Sequence, residues 1–531
     1  MTAGAPWWRG AVIYQVYVRS FADGNGDGQG DFSGLRCKLG YLAGLGVDAI
    51  WLSPIHPSPN RDWGYDVSDF DGVHPDYGTQ EEFDLLLSEA HALGLKVMTD
   101  EVLAHTSDEH PWFLESLTGR DKANWYVWAD PKPDGTAPNN WLSAFAGPAW
   151  SYQPARQKYY HHKFLRQQPK LNWREPAARA AVLAVLERWL LRGVDGFRLD
   201  VANAYLHDPA LTGNPPVPLE ARTLSSWAHP PNMQFHYYDS NLPENIEVLD
   251  EVRRTVERHP DRFVMGEFSE EAERCGCYAA PDEGLHSGYS FPLLEARALG
   301  ARFIREHYAM LARHPRHWPS IAFSNHDVMR TVSRFGGEMP PAGLDKLLLA
   351  LLLSLRGTAL LYQGEELGLT QAQIPRAQQK DPVGDLYYPY VYGRDGCRTP
   401  MPWDGEADNL GFGTGTPWLP AQQAHRKLAV SAQLADPGSA LNFARRFLTT
   451  RKASAALRLG DIAFLDLPEP LLAFTRTDEN ERVLCVFNMS GDEQTFAIAD
   501  AATLGVGCGA TSLSGRTLQL GPYAAWFGTL L

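Results

Sequence analysis

The sequence predicts an α/β fold: a (β/α)8 TIM barrel with an inserted subdomain after its third strand and an antiparallel β domain at its C-terminal end. Three observations carry this expectation. Short apolar runs alternate with helical patterns through most of the 531 residues, the rhythm of parallel strands joined by crossover helices. Several of these runs end in an acidic residue, and the C-terminal ends of barrel strands are where such folds place their chemistry. After about Ala456 the pattern changes to short alternating strands, which is how a two-faced antiparallel sheet reads.

Each element has a local reason. Residues 12–18 (VIYQVYV) read as the first strand, followed by a helix through Leu35 to Leu45. Residues 48–54 (DAIWLSP) are the second strand. The next helix opens at Thr79, where Thr79 and Glu82 form a capping box that pairs side-chain and backbone donors reciprocally. Strands follow at 95–100 (LKVMTD), 194–200 (VDGFRLD), 262–267 (RFVMGE), 287–292 (SGYSFP), 320–327 (SIAFSNHD) and 358–364 (TALLYQG), completing eight. The apolar run from Leu347 is too short to cross a membrane and reads as a buried helix. Between Asp100 and the helix at Pro176 lies a stretch rich in Trp, Tyr, Pro and Asn. It is too long for a plain loop and is read as the insert. DIAFLDL, LLAFTRT, RVLCVFNMS, QTFAIAD and TLQLG supply the C-terminal strands. The expected partition is 1–103 with 175–455 for the barrel, 104–174 for the insert and 456–531 for the β domain.

Composition excludes more than it identifies. A net charge of -15 argues against nucleic-acid binding through phosphate contacts and against a polybasic membrane anchor. The 16 Trp and 21 Tyr suit stacking on the flat faces of sugars or, equally, the packing of a large core. Six cysteines in so long a chain do not make a disulfide framework, and Cys275 with Cys277 are too closely spaced for a zinc site. No basic segment followed by an apolar run opens the chain. A cytoplasmic monomer or homodimer without an organic cofactor is expected, with no nucleic-acid or membrane partner.

Three strands end in acid: Asp200 in GVDGFRLD, Glu267 in RFVMGEF and Asp327 in IAFSNHD. Burying such a charge is costly unless a partner or a task retains it. Three such endings on one barrel point to one shared site. A carboxylate nucleophile and a carboxylic acid donor are what glycoside hydrolysis with retention requires. Arg198, two residues before Asp200 and on the same strand face, favours the ionised carboxylate. Met265 and Phe268 give Glu267 the apolar neighbours that suit a proton donor.

A separate run, DGNGDGQGD, places oxygens at alternate positions with glycines between them. Asp23, Asn25, Asp27, the carbonyl of Gln29 and Asp31 are candidate ligands for a structural Ca²⁺ or Mg²⁺. The other reading is an Asp/Gly-rich surface turn. Gly34 stands where an EF-hand carries its bidentate Glu.

The motifs DEVLAH (100–105), GFRLD (196–200), MGEF (265–268) and SNHD (324–327) occur together with GYDVSDF (64–70), QPKLN (168–172) and RTPMPWD (398–404). In order and placement they resemble glycoside hydrolase family 13, the α-amylase family, and within it the bacterial α-glucosidases and oligo-1,6-glucosidases. The resemblance covers essentially the whole chain. It implies that Asp200 is the nucleophile, Glu267 the acid–base, and Asp327 a carboxylate that binds the sugar's 2- and 3-hydroxyls together with His326. His105 would reach the 6-hydroxyl. It implies a salt-bridged pair, Asp66 with Arg398, that grips the 4-hydroxyl and leaves no room beyond the terminal sugar. Tyr65 would stack on that sugar. Phe145 and Phe164 would wall the pocket or else fill the insert's own core. The resemblance also supports a single structural metal just after the first strand.

The implied activity is exo-acting removal of α-linked glucose from short oligosaccharides through a glucosyl-Asp200 intermediate, with transfer to an alcohol as the same chemistry when water is excluded. The alternative is a sucrose- or trehalose-directed isomerase or transglucosidase. Three positions depart from the pattern or bear on linkage. Ala104 stands where most relatives carry Asn, Lys170 replaces the Asp of QPDLN, and Val201, after the nucleophile, weakly suggests α-1,6 preference. The long loop 207–241 would shorten the leaving-sugar site and favour disaccharides.

Overall fold

The computed structural model describes residues 4–222, 229–269, 276–280, 283–391, 393–498 and 502–530. Strands β1 (Val12–Val16), β2 (Ala49–Leu52) and β3 (Lys96–Glu101) precede three short insert strands, β4 (Trp128–Ala129), β5 (Trp150–Gln153) and β6 (Lys158–His161). Strands β7 (Gly196–Leu199), β8 (Phe263–Phe268), β9 (Ser287–Ser290), β10 (Ser320–Ala322) and β11 (Thr358–Tyr362) then complete an eight-stranded parallel sheet. Its order is β10-β11-β1-β2-β3-β7-β8-β9. All eight expected barrel strands are present.

The sheet is nearly closed. Where β9 meets β10, side chains rather than a backbone ladder join the ends: Ser287 Oγ donates to the Trp318 carbonyl at 2.7 Å and lies 2.8 Å from Ser320 Oγ. Inside the barrel, Ile13, Trp51, Met98, Met265, Tyr289 and Leu360 pack together. Outside it, helices cover the strands. Helix α1 (Phe32–Leu45) is capped by Asp31, whose side chain accepts from Gly34, and ends at Gly46 with φ 98°, a left-handed turn that glycine adopts without strain. Helix α2 (Gln80–Ala92) opens on the expected Thr79–Glu82 capping box. The helix Leu344–Ser354, apolar all round, buries nearly every side chain, as its sequence demands.

The insert carries an antiparallel sheet in the order β4-β6-β5. The C-terminal region holds eight strands, three more than the alternation reveals. Strands β12 (Asp461–Phe464), β13 (Leu471–Thr477), β14 (Arg482–Asn488), β15 (Gln494–Ala497), β16 (Ala502–Cys508), β17 (Thr511–Ser514), β18 (Thr517–Leu520) and β19 (Ala525–Leu530) form two antiparallel sheets, β12-β13-β14-β19-β16 and β15-β18-β17. One face of the larger sheet buries Leu484, Val486 and Trp526 against Phe496 and Leu518 of the smaller. The other packs on the barrel's helices, with Phe527 4.7 Å from Phe447.

Burial makes the fold acid-sensitive. Desolvation lowers His105, His110, His162, His307, His317 and His425 to about 4, and His207 and His326 to about 3. As pH falls below about 6.5 the unfolded chain takes up protons on these rings and the folded chain does not, so stability is lost. Burial raises Asp66 to about 6, Asp100 and Glu365 to about 7, and Asp200 upward. Those four act in the opposite sense, as do Asp31, Asp62, Asp108, Glu295, Glu366 and Asp395, which burial also raises. They are outnumbered by the lowered rings together with Asp195, Asp239, Glu257, Asp327 and Asp381. Despite burial, partners hold these five acids low, and their contribution to stability is also lost in acid. The melting temperature is expected to fall steadily from about pH 6.5 to 4. A rise over that interval in a calorimetric series contradicts this balance.

Candidate active site

The C-terminal ends of the barrel strands open into a cavity of about 490 Å³. Asp200 directly follows β7, Glu267 lies within β8 and Asp327 follows β10. All three line this cavity, with Tyr65, His105, Phe145 and Phe164.

The acids converge on one cation. Arg198, fully buried, lies 2.6 Å through Nη1 from Asp100 Oδ1 and 2.9 Å from Asp200 Oδ1. Its Nη2 makes an ion-pair contact with Glu267 Oε1, and its Nε donates to Tyr289 Oη at 3.1 Å. The Trp51 ring centre is 5.3 Å from the guanidinium. Burial pushes Asp200 well above the usual carboxylate range, Arg198 opposes that, and Glu267, Asp100 and Asp327 add to it. Burial likewise takes Asp100 to about 7 against the pull of Arg198. Asp327 differs: despite burial, His326, Arg394 and Arg398 hold it well below the ordinary value. His105 and His326 are neutral near pH 7, so each ring offers one donor and one acceptor. Nε2 of His105 contacts the Tyr65 carbonyl at 2.8 Å, and Nδ1 of His326 is 2.8 Å from Gln15. Tyr65 stacks on His326 with ring centres 5.2 Å apart and donates to Asp100 at 3.1 Å.

The expected ion pair between Asp66 and Arg398 is not formed. Asp66 is fully buried, and its oxygens accept from Ser58 Oγ and the backbone N–H groups of Arg61 and Asp62 at 2.8–3.0 Å. It shapes the loop and does not line the cavity. Arg398 Nε donates to the His326 carbonyl at 2.7 Å and Nη2 meets Asp327 at 2.8 Å. The pair that closes the cavity is Asp62 with Arg394, each four residues earlier. Arg394 Nη2 lies 2.7 Å from Asp62 and 2.6 Å from Asp381, and Nη1 lies 3.1 Å from Asp327. The Phe145 ring centre is 5.3 Å from this guanidinium, and Phe164 meets Phe145 edge-on at 5.5 Å. Gln168, from QPKLN, donates to Asp62 at 3.0 Å.

Tyr289 is not among the expected site residues, and Val201 is expected there only as a residue that bears on linkage. Tyr289 donates to Glu267 Oε1 at 3.0 Å while accepting from Arg198. Val201 sits at φ 43°, ψ 47°, a left-handed conformation that β-branched residues rarely adopt. There its N–H reaches Glu267 Oε2 at 3.3 Å.

Residues 15–460 match the family model "Alpha amylase, catalytic domain" and residues 471–526 match "Alpha-amylase SusG C-terminal domain". The chain belongs to the α-amylase family, glycoside hydrolase family 13. It is 49% identical over 498 residues to a probable alpha-glucosidase of Rhizobium meliloti (strain 1021), covering 92% of this chain and 90% of that protein. It is 34% identical over 530 residues to the oligo-1,6-glucosidase of Parageobacillus thermoglucosidasius, covering 93% and 92%. Among solved structures, the alpha-glucosyl transfer enzyme XgtA superposes with a TM-score of 0.96 at 45% identity, covering 99% of this chain and 100% of that one. The trehalulose synthase MutB from Pseudomonas mesoacidophila MX-45 superposes at 0.89 and 31% identity, with the same coverage. The protein is thus a glycoside hydrolase of the α-glucosidase and oligo-1,6-glucosidase type.

Two further features of this α-amylase-family chain bear on expectation. In the turn 23–31, Asp23 accepts from the N–H groups of Gly26 and Gly28, Asn25 from Asp27, Asp27 from Gln29, and Asp31 from Gly24, Asn25 and Gly34. Gly28 has φ 93° and packs where a Cβ would strike the Thr416 carbonyl, so the glycine serves this contact as well as the turn. Among the described residues no three His, Cys, Asp or Glu gather as a metal site. The donors are nevertheless all oxygens, the chemistry hard divalent cations take, and an oxygen that accepts one N–H keeps a second lone pair. Lys170 is buried, its ammonium donates to the Ala204 carbonyl, and burial lowers it to about 7. It thereby ties the insert to the segment that follows Asp200. No helix of the described residues is long and apolar enough to cross a membrane.

Proposed function

We propose that the protein is a retaining, exo-acting α-glucosidase of the cytoplasm that releases terminal glucose from short oligosaccharides. The observation that carries this reading is the meeting of Asp200 and Glu267 on one guanidinium, in a cavity closed on one side by Asp62, Arg394 and Asp327. Two carboxylates held on one guanidinium favour the short separation of about 5 Å that retention uses over the wider one that admits a water. Asp200 attacks the anomeric carbon while Glu267 protonates the leaving oxygen. Water, activated by Glu267, then releases glucose from Asp200. Arg198 favours the ionised form of the attacking carboxylate, opposing its burial and its acidic neighbours. Asp327, held ionised, grips the ring hydroxyls with the neutral His326, and Asp62 with Arg394 blocks extension beyond the terminal sugar.

Transfer of the glucosyl unit to an alcohol, or isomerisation of sucrose, is the second reading. The outer wall offers apolar and histidine side chains: Phe291, Pro231, Val383, His229 and His236. Relatives include a glucosyl transfer enzyme and MutB, which is solved with sucrose as its substrate. Product analysis on maltose, isomaltose, sucrose and trehalose separates the readings. Free glucose as the sole early product supports hydrolysis, isomeric disaccharides support the second reading, and internal cleavage of long chains overturns the exo assignment.

Tyr289 donates to Oε1 of Glu267, the oxygen that Arg198 also touches, and Oε2, which meets the Val201 N–H at 3.3 Å, is the proton-transferring oxygen. Tyr289→Phe is expected to lower kcat/KM about tenfold, because the hydroxyl that holds Oε1 of Glu267 in place is lost. A lowered Tm with unchanged kcat/KM assigns Tyr289 to packing alone.

A structural Ca²⁺ or Mg²⁺ would be held by Asp23, Asn25, Asp27, Gln29 and Asp31 and would brace the loop without touching sugar. Chelator is expected to lower the Tm, added Ca²⁺ or Mg²⁺ to restore it, and kcat at room temperature to stay the same. A Tm indifferent to chelator removes the metal.

A further inference from the structure

The backbone ladder between β7 and β8 ends one residue short of the chemistry. Its last pairs are Arg198 with Met265 and Leu199 with Gly266, and Asp200 and Glu267 are the next residue on each side. Retention needs the two carboxylates about 5 Å apart, so contacts beyond the ladder must fix the strand ends relative to each other. The turn after Asp200, Ala202–Ala204, is anchored on three sides. The Ala202 carbonyl accepts from Asn245 Nδ2 at 2.8 Å, that of Asn203 from the Asn241 N–H at 2.8 Å, and that of Ala204 from the Lys170 ammonium. These donors belong to the helix Asn245–Glu257, the loop before it and the insert.

From this anchored turn two donors cross to the end of β8. One is the Val201 N–H, on Glu267 Oε2. The other is Asn203, fully buried, whose Nδ2 donates to Ser269 Oγ at 3.1 Å and to Asn241 Oδ1 at 2.7 Å. Both amide hydrogens are thus used, and an amide buried without such acceptors would be costly. Alternate residues of a strand share a face. Ser269 therefore stands on the same side of the chain as Glu267, and both line the active-site cavity. A hold on the Ser269 side chain is a hold on the backbone that carries Glu267.

We propose that Asn203 is a positioning residue that sets the aim of Glu267 at the leaving oxygen, by tying the end of β8 to the turn that follows Asp200. The role rests on Glu267 being the acid–base. Asn203 is not among the residues that line the cavity, and it acts through Ser269. Loss of aim has a signature that loss of stability lacks. A misdirected acid penalises each substrate in proportion to the proton donation its leaving group needs, whereas a loosened fold penalises all of them alike.

The test is kcat/KM across aryl α-glucosides, from dinitrophenyl to methylphenyl, for wild type, Asn203→Ala, Ser269→Ala, the double variant and Glu267→Gln. Asn203→Ala is expected to lose about tenfold on the methylphenyl glucoside and less than about twofold on the dinitrophenyl one. Ser269→Ala, a change at an exposed position, should show the same uneven loss. The double variant should be no worse than Asn203→Ala, because the two side chains form one link. Equal losses on both glucosides, or losses that multiply in the double variant, overturn the proposal. Where Asn203→Ala does not fold, Ser269→Ala decides: an uneven loss supports the link, and an even loss or none overturns it. Glu267→Gln is the reference. An uneven loss there without one in Asn203→Ala removes the positioning role alone, and an even loss there removes the acid–base assignment on which that role rests.

Discussion

Asp200→Asn is expected to lower kcat by about four orders of magnitude or more, the scale on which loss of a covalent nucleophile is felt. An amide has the shape of the carboxylate but neither its charge nor its nucleophilicity. The fold should survive, because Arg198 keeps Asp100 and Glu267 as partners. Sugar binding should survive too, since Asp62, Asp327, His105 and Arg394 are untouched. Two measurements check this. Acid-quenched wild type incubated with a slow glucoside should carry a glucosyl mass on the peptide that contains Asp200, and the variant should carry none. Glucose should still raise the variant's Tm. Residual turnover within tenfold of wild type would transfer the attacking role to another acid, and Asp100, on the same guanidinium, would be the first to examine.

Glu267→Gln is expected to act unevenly across substrates. General acid catalysis contributes roughly 10²–10⁴-fold, and a leaving group needs it in proportion to how poorly it carries negative charge. Maltose should therefore lose about three orders of magnitude. A dinitrophenyl glucoside, whose leaving group departs unaided, should lose little in the bond-breaking step. Its intermediate should then accumulate, because the same residue must activate water in the second step. Azide, which needs no base, should restore turnover and trap the sugar as the glycosyl azide of retained configuration. Equal losses on both substrates, with no rescue by azide, would remove Glu267 from the acid–base role.

The barrel was legible because its signals are local. Strand after strand ends in a polar residue after an apolar run, and the capping box at Thr79 depends only on residues three apart. The Gly-rich stretch after residue 503 hid β16, since glycine carries no side chain to show alternation. In the site, the strand-end acids were visible for the same local reason. Asp100 ends the third strand's apolar run in the same way, and that signal was available. The pair across the cavity was not readable, because it joins two loops 332 positions apart. Each loop offers two members of the right sign four residues apart, Asp62 or Asp66 and Arg394 or Arg398. Only folding decides between them. Asp66 is consumed by Ser58 and backbone N–H groups, and Arg398 is drawn to the His326 carbonyl. Tyr289 sits in a strand run where an aromatic reads as core, and it is both core and a donor to Glu267.

The left-handed backbone at Val201 has a practical corollary. A residue so placed costs of order 1–3 kcal/mol, and any screen for hardier variants would be drawn to relieve it. Such a screen would be selecting against the aim of one peptide N–H. The most heat-resistant descendants of this chain would then be poor guides to its chemistry.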